Sequence, residues 1–136
     1  KILSRFKFKY NKKFFDYIGY DIDKKYTQME DYRKLKPDFI FCINVLEHLT
    51  LKELKINLNN FRKMNNNVKL ITAIPKMNWL SNFLNNNFDP VDESKEYEIH
   101  KSHFRDIQKV LKDKCNLINE KDYYFIQKIQ SWEFKK

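Results

Sequence analysis

The pattern of apolar and polar positions is clearest between residues 38 and 50. Phe39 to Ile43 form a continuous apolar run, FIFCI, which is too short for a helix and is typical of a strand buried on both faces. Thr50 is followed three residues later by Glu53, the spacing of a capping box, in which each side chain satisfies a free backbone N–H at a helix start. The pattern therefore predicts a strand, a polar turn and a helix in this order.

Further along the chain, helical and extended patterns alternate. Apolar residues at helical spacing predict a helix from Leu51 to Met64, and VKLITAI predicts a strand from Val68 to Ile74. Strand, helix and strand in this order form a βαβ unit, which is nearly always right-handed with parallel strands. Ser102 is predicted to cap a helix that runs to Lys114. Two final strands, at 116–119 and 123–132, are predicted to form an antiparallel hairpin at the sheet edge.

The first part of the chain gives weaker signals. Lys1 to Lys13 is predicted as a helix, although the alternation from Phe6 to Tyr10 also fits a strand. Phe14 to Asp21 is predicted as a strand that ends in an acid, and Gly19 near its end would let a ligand or another backbone come close. Two short elements are predicted next: an edge strand from Tyr26 to Glu30, and a turn or single helical turn from Asp31 to Leu35.

Composition narrows the class of protein. The 136 residues fit one domain, no apolar stretch approaches the roughly 20 residues of a membrane span, and no secretory signal is visible. Cys42 and Cys115 make neither a disulfide framework nor a metal site, so a cytoplasmic setting is expected. The net charge of +9 favours an anionic partner such as nucleic acid, but the lysines are spread along the whole chain, which is typical of a solvated surface.

The motifs, in order and spacing, resemble class I S-adenosylmethionine-dependent methyltransferases. YIGYDID at 17–23 resembles the family's second strand, MEDYRKL at 29–35 the segment near the adenine, and PDFIFCINVLEHL at 37–49 the fourth strand and its turn. VKLITAIP at 68–75 resembles the fifth strand, and IHKSHFRDIQKVL at 99–111 the start of the following helix. The resemblance implies an α/β fold: a Rossmann-like, doubly wound, mostly parallel sheet with an antiparallel C-terminal strand.

One part of the family pattern has no counterpart. The family's first strand and its glycine-rich loop would lie directly before the helix that Lys1 to Lys13 resembles, and Gly19 is the only glycine in the sequence. We expect one methyltransferase-like domain over residues 1–136 that is incomplete at its N-terminus and lacks the first strand. The alternative is a degenerate domain that no longer binds the cofactor. In both cases this chain alone is expected to bind the cofactor poorly.

The resemblance also implies roles for individual residues in an enzyme that uses S-adenosyl-L-methionine. Asp21, beside Gly19, offers two oxygens to the two ribose hydroxyls, the alternative being a surface acid at a strand end. Ile22 would lie either against the adenine or in the core. Asp31 either accepts from the adenine amine or caps the following turn. Asn44, at the end of a strand where ligands of open α/β sheets bind, would accept from the amino group of the cofactor.

Chemistry at the methyl acceptor is assigned to a different set of residues. Glu47 and His48 are candidates for proton handling, although such a pair more often only orders a turn. His100 is expected to contact a substrate that the motifs leave unidentified, and residues 76–99 to select it. His100 and His103 with Glu98 are a weak metal motif, and no metal is predicted. The competing hypotheses are a non-catalytic binding or scaffold domain and a basic RNA-associated module, whose affinity would fall steeply with salt.

Overall fold

The computed structural model of this chain describes residues 18–20, 25–76, 101–123 and 127–136. The chain divides into two compact units, Lys1–Tyr32 and Arg33–Lys136. Several expectations lie outside the described residues: the helix over 1–13, most of the strand over 14–21, the site residues Asp21, Ile22 and His100, and the segment 77–99.

The described elements follow the predicted order. Two short 3-10 turns span Tyr32–Lys34 and Leu46–His48. The strands are β1 (Phe39–Ile43), β2 (Lys69–Pro75), β3 (Cys115–Tyr123) and β4 (Gln127–Phe134), and the helices are α1 (Leu51–Met64) and α2 (Phe104–Lys114). None of the helices in these described ranges is long and apolar enough to cross a membrane.

The four described strands form one sheet in the order β1-β2-β4-β3. β1 and β2 are parallel, with Phe39 opposite Lys69 and Ile43 opposite Ala73, as the predicted βαβ unit requires. β4 is antiparallel to both β2 and β3, so three of these four strands share one direction. The predicted hairpin at the sheet edge is confirmed, but β3 is longer than the predicted 116–119, and β4 covers 127–134 where 123–132 was predicted. A register shift between Leu117 and Asn119 interrupts their pairing.

Both described helices pack on one face of the sheet. Side chains alternate along a strand, and β1, β2 and β4 each present their buried residues to the same core as α1 and α2. Each large apolar side chain buried in this core contributes about 1.5–3 kcal/mol. The fully buried members of the core include Leu46, Leu54, Leu58, Leu70, Ile74, Ile107, Leu111 and Trp132.

The other face of β1 departs from the prediction. Cys42 is buried, whereas Phe39, Phe41 and Ile43 are exposed, Phe41 by 56%. The expectation of a strand buried on both faces is therefore wrong for β1 in this structure. The physical reason is that α1 and α2 cover only the face to which Ile40 and Cys42 belong.

The expected edge strand over 26–30 is wrong, and the strand expected over 14–21 is contradicted at its described residues. Residues 25–30 form turns and bends rather than an edge strand, and the described residues 18–20 are not in a strand. Gly19 instead exchanges two hydrogen bonds with Gln28: its N–H donates to the Gln28 side chain at 2.9 Å, and its carbonyl accepts from the Gln28 backbone at 3.0 Å. The single turn expected over 31–35 is present as Tyr32–Lys34.

The predicted capping box at the start of α1 is confirmed. The Thr50 hydroxyl accepts from the Glu53 backbone N–H at 3.3 Å, and the Glu53 carboxylate accepts from the Thr50 backbone N–H at 2.8 Å. The Thr50 hydroxyl also donates to the same carboxylate oxygen at 2.8 Å. These bonds satisfy backbone donors that a helix start leaves free, and they fix the residue at which α1 begins.

The predicted cap of α2 is wrong. His103, not Ser102, is the N-cap residue, and its side chain makes no capping bond. The Ser102 hydroxyl donates instead to the carbonyl of Leu49 at 2.6 Å. The Ser102 hydroxyl therefore bonds to a carbonyl 53 residues earlier in the chain and does not cap α2.

Removal of the Thr50 hydroxyl should destabilise the protein. Thr50→Ala takes away the acceptor for the Glu53 N–H, and we expect the free energy of unfolding to fall by about 1 kcal/mol, the usual effect of losing an N-cap. Thr50→Ser keeps the hydroxyl and should stay close to the wild type. Urea denaturation of the three proteins measures this, and equal loss in both variants would contradict the capping role.

The capping box should also make stability depend on pH. The N–H and then the hydroxyl of Thr50 lower the pKa of Glu53 below its usual value of 4.5, with a smaller contribution from Lys101. A carboxyl whose pKa is lower in the folded state stabilises above the unfolded pKa, and this stabilisation is lost as pH falls through the folded pKa. The unfolding free energies of wild type and Glu53→Gln should therefore converge between about pH 5 and about pH 2. A difference that stays constant across this range in urea titrations would rule this linkage out.

Candidate functional site

Polar side chains collect at one edge of the sheet. β1 and β2 end there, and because β4 runs in the opposite direction, β4 begins there and β3 ends there. In open α/β sheets this carboxyl edge is where ligands bind. The side chains at or next to this edge are Asn44, Lys76, Asp122, Gln127 and Lys128.

Asn44 takes a special backbone conformation directly after β1. Its φ of 51° is in the left-handed region, which Asn tolerates better than most residues. Its N–H donates to the carbonyl of Ala73 at 3.0 Å, and its side-chain Oδ1 accepts from Gln127 Nε2 at 2.5 Å. A carbonyl oxygen has two lone pairs, so the exposed Asn44 amide is held in place and retains acceptor capacity.

Gln127 is a site residue that the sequence analysis missed. It lies 83 residues after Asn44 and reaches it because β4 is inserted beside β2, where Gln127 is opposite Pro75. The sequence contained one usable signal, the apolar alternation of the last strand. This alternation would have pointed to Gln127 only if the strand order had been known, because it does not say that β4 lies beside β2.

Two lysines and two acids form an ion-pair network beside this edge. Lys76 Nζ lies 2.6 Å from Asp122 Oδ1, and Lys128 Nζ lies 3.0 Å from Glu120 Oε1 and 3.7 Å from Asp122 Oδ1. Lys76 is the main cause of the lowered pKa of Asp122, and Glu120 of the raised pKa of Lys128. These carboxylates are solvent-exposed, so the pairs contribute little stability and mainly orient the ends of β2, β3 and β4.

Glu47 lies in the 3-10 turn that follows Asn44, and its side chain is buried. Glu47 is 3% exposed, its Oε1 lies 4.0 Å from His48 Nε2, and its Oε2 is buried with no hydrogen-bond partner among the described residues. The His48 side chain is 41% exposed. Buried polar atoms are nearly always paired, so the unpaired Glu47 oxygen distinguishes this turn from an ordinary structural one.

The Cys42 thiol lies under the same turn. Burial and, to a smaller extent, the Glu47 carboxylate raise its pKa to about 12. The thiol therefore stays protonated near neutral pH and is not a nucleophile, which agrees with the prediction of a core residue. Across the described ranges, no three His, Cys, Asp or Glu side chains are grouped so that they could hold a metal ion.

The remaining predicted site residues belong to the first unit or to undescribed parts of the chain. Both backbone groups of Gly19 bond to Gln28, and the ring of Tyr20 packs edge-on against Tyr32 at 4.8 Å. Asp31 directly precedes the Tyr32–Lys34 turn. Asp21, Ile22 and His100 lie outside the described residues, so their roles stay predictions.

Comparison with known proteins identifies the fold. No family model matches the sequence, and no curated protein matches it either. Among solved structures, the PH0226 protein from Pyrococcus horikoshii OT3 is similar with a TM-score of 0.55 and 14% identity over 78% of this chain and 57% of that one. Magnesium protoporphyrin IX methyltransferase (ChlM) from Synechocystis PCC 6803, solved with bound SAH, is similar with a TM-score of 0.52 and 17% identity over 78% of this chain.

These similarities and the sheet order define the architecture. The chain has a Rossmann-like α/β fold, similar to the folds of PH0226 and of ChlM, a methyltransferase, and this fold agrees with the prediction from the motifs. It spans about half the length of the solved structures that it matches, 57% of PH0226 and 49% of ChlM.

The contact between Asn44 and Gln127 should be measurable as a coupling energy. Asn44→Gly removes the side chain but tolerates the positive φ, and Gln127→Ala removes the donor. A double-mutant cycle of unfolding free energies should give a coupling of about 0.5–1.5 kcal/mol. Gln108→Ala, which breaks a Gln–Gln pair with Gln130 under α2, is the control and should combine additively with Asn44→Gly. Additive effects of Asn44→Gly and Gln127→Ala on the unfolding free energy would contradict the contact.

Proposed function

We propose that this chain is part of an enzyme that transfers the methyl group of S-adenosyl-L-methionine to a small-molecule acceptor. The observation that carries the proposal is the fold, shared with ChlM, a methyltransferase solved with bound SAH. The cofactor supplies an already activated sulfonium methyl. The protein's task is therefore to position the acceptor, exclude water and handle one proton.

The proposed cofactor residues fit a nucleoside with an amino acid tail. Asp21 accepts from both ribose hydroxyls, Ile22 lies against the adenine face, and Asp31 accepts from the adenine amine. Gly19 leaves room for the ligand beside Asp21. An ionised carboxylate can only accept hydrogen bonds, which suits a ligand that presents hydroxyl and amine donors.

Asn44 is the residue that we assign to the charged end of the cofactor. Its Oδ1 keeps a lone pair beyond the one used by Gln127, and an ammonium group is the donor that this acceptor suits. Gln127 supports the assignment because it limits the orientations of the Asn44 amide before a ligand binds. A preorganised acceptor loses less entropy on binding than a mobile one.

His48 and Glu47 divide the proton handling between them. The half-exposed His48 ring accepts the proton that an O–H or N–H acceptor releases when it is methylated, since histidine is the side chain that most often acts as a general base. Glu47 is too buried to reach a substrate directly. Its Oε1, 4.0 Å from His48 Nε2, stabilises the protonated ring, so Glu47 acts through His48.

We propose that residues 76–99 select the acceptor and that His100 contacts it. A small molecule is the class we propose, as the magnesium protoporphyrin IX in the name of ChlM is one. The competing hypothesis, a scaffold domain, predicts that the protein does not bind the cofactor. The same titration therefore separates the two.

Calorimetric titration of the full-length protein with S-adenosylhomocysteine tests the proposal. We expect binding to the wild type and at least about tenfold weaker binding to Asp21→Ala, because hydrogen bonds to a charged group are worth about 1.5–3 kcal/mol. Asp23→Ala removes the same charge two residues later and is the matched control, with affinity near that of the wild type.

Two results would contradict this assignment at different levels. Equal affinities of Asp21→Ala and the wild type would remove Asp21 from the ribose site while leaving cofactor binding intact. Absence of binding to the wild-type full-length protein would overturn the enzyme and favour the scaffold domain.

A further inference from the structure

Residues 101 and 102 are tied to the 3-10 turn by three hydrogen bonds. The backbone N–H groups of Lys101 and Ser102 both donate to the carbonyl of Glu47, at 2.9 and 3.2 Å. The Ser102 hydroxyl donates to the carbonyl of Leu49 at 2.6 Å. We call this pair of residues, Lys101 and Ser102, the strap.

The turn needs this support because its own bonds are few. Its backbone is closed by His48 N–H to Val45 O at 3.1 Å and by Leu49 N–H to Leu46 O at 3.2 Å. Bonds of this 3-10 type have poorer geometry than those of an α-helix, and short turns of this kind are marginal alone. Leu46 anchors one side in the core, and the strap satisfies the carbonyls on the other side.

The strap is itself firmly placed. Ser102 is only 7% exposed and stands just before α2, which is anchored in the core by Ile107 and Leu111. Lys101 is close enough to the first turn of α1 to lower the pKa of Glu53. The strap therefore connects the start of α2, the 3-10 turn and the start of α1.

The connection matters for Glu47, because its buried carboxylate has to be held in place. A buried carboxylate oxygen that has no hydrogen-bond partner among the described residues gains free energy by moving into water, so a loosely held turn would relax and release the Glu47 side chain. The strap binds the backbone of Glu47 itself, and it opposes that relaxation directly. Glu47 then stays within 4.0 Å of His48.

We propose that Ser102 is a positioning residue, which holds the turn that carries Glu47 and His48 through its hydroxyl bond to Leu49. The consequence for methyl transfer rests on the proposed function, whereas the mechanical role does not. The Ser102 hydroxyl bonds to a backbone carbonyl of the turn. It acts through the backbone of the turn.

Amide hydrogen exchange in the full-length protein, resolved by NMR, tests the mechanical role. In Ser102→Ala the amides of His48 and Leu49 should exchange about tenfold faster relative to the amide of Leu70 in the sheet, the effect of losing one net hydrogen bond. Ser102→Thr retains the hydroxyl and should restore most of the protection. Gln108→Ala is the control, since it removes a partly buried side chain that pairs with Gln130, and it should leave the ratio of turn to sheet exchange unchanged.

A second measurement connects the turn with the site. S-adenosylhomocysteine should bind Ser102→Ala about tenfold more weakly than Ser102→Thr, because the turn begins directly beyond Asn44. Gln108→Ala should bind as the wild type does. Failure of the wild type to bind would overturn the proposed function, while the exchange data would still decide whether Ser102 holds the turn.

The remaining outcomes overturn the inference. Uniform acceleration of turn and sheet amides in Ser102→Ala would show an effect on global stability alone. Unchanged exchange in the turn, or equal loss of protection in Ser102→Ala and Ser102→Thr, would show that the hydroxyl does not hold it. Faster exchange in the turn of Ser102→Ala with unchanged affinity for S-adenosylhomocysteine would show that Ser102 holds the turn but does not affect ligand binding.

Discussion

The burial of Trp132 against β2 is the contact on which the rest of the second unit depends. Trp132 is fully buried, it lies opposite Leu70 on β2, and its indole N–H donates to the Thr72 hydroxyl at 3.2 Å. This single side chain supplies a large apolar surface and also satisfies its own polar group, as a buried indole must. It fixes β4 between β2 and β3, and the order of the sheet follows from that.

Everything at the candidate site follows from this insertion and from the seven residues between β1 and α1. β4 brings Gln127 to Asn44, and the charges of β3 and β4 meet Lys76 at the end of β2. The connection between β1 and α1 turns sharply at Asn44, buries Leu46 and Glu47, and then starts α1 at the capping box. Regular elements thus provide positions, and a short irregular connection carries the candidate chemistry.

Local signals explain what the sequence predicted well. The capping box, the apolar stripe of α1 and the strand over 39–43 depend on neighbours in the chain, and the structure places them as predicted. Contacts across 83 and 53 residues, Gln127 with Asn44 and Ser102 with Leu49, have no local signature. Ser102 shows the limit clearly, because a serine before a helix is usually its cap, and only the packed structure supplies the competing carbonyl.

The position of β4 has a consequence for how the molecule is made. Residues 127–134 are synthesised after the other described strands, yet they occupy an interior place in the sheet, between β2 and β3. Until that segment leaves the ribosome, β2 lacks a neighbour on that side and the indole-binding surface of the core is open. Pairing over such a distance in sequence is slow, so the nascent chain should depend on protection from aggregation during this interval.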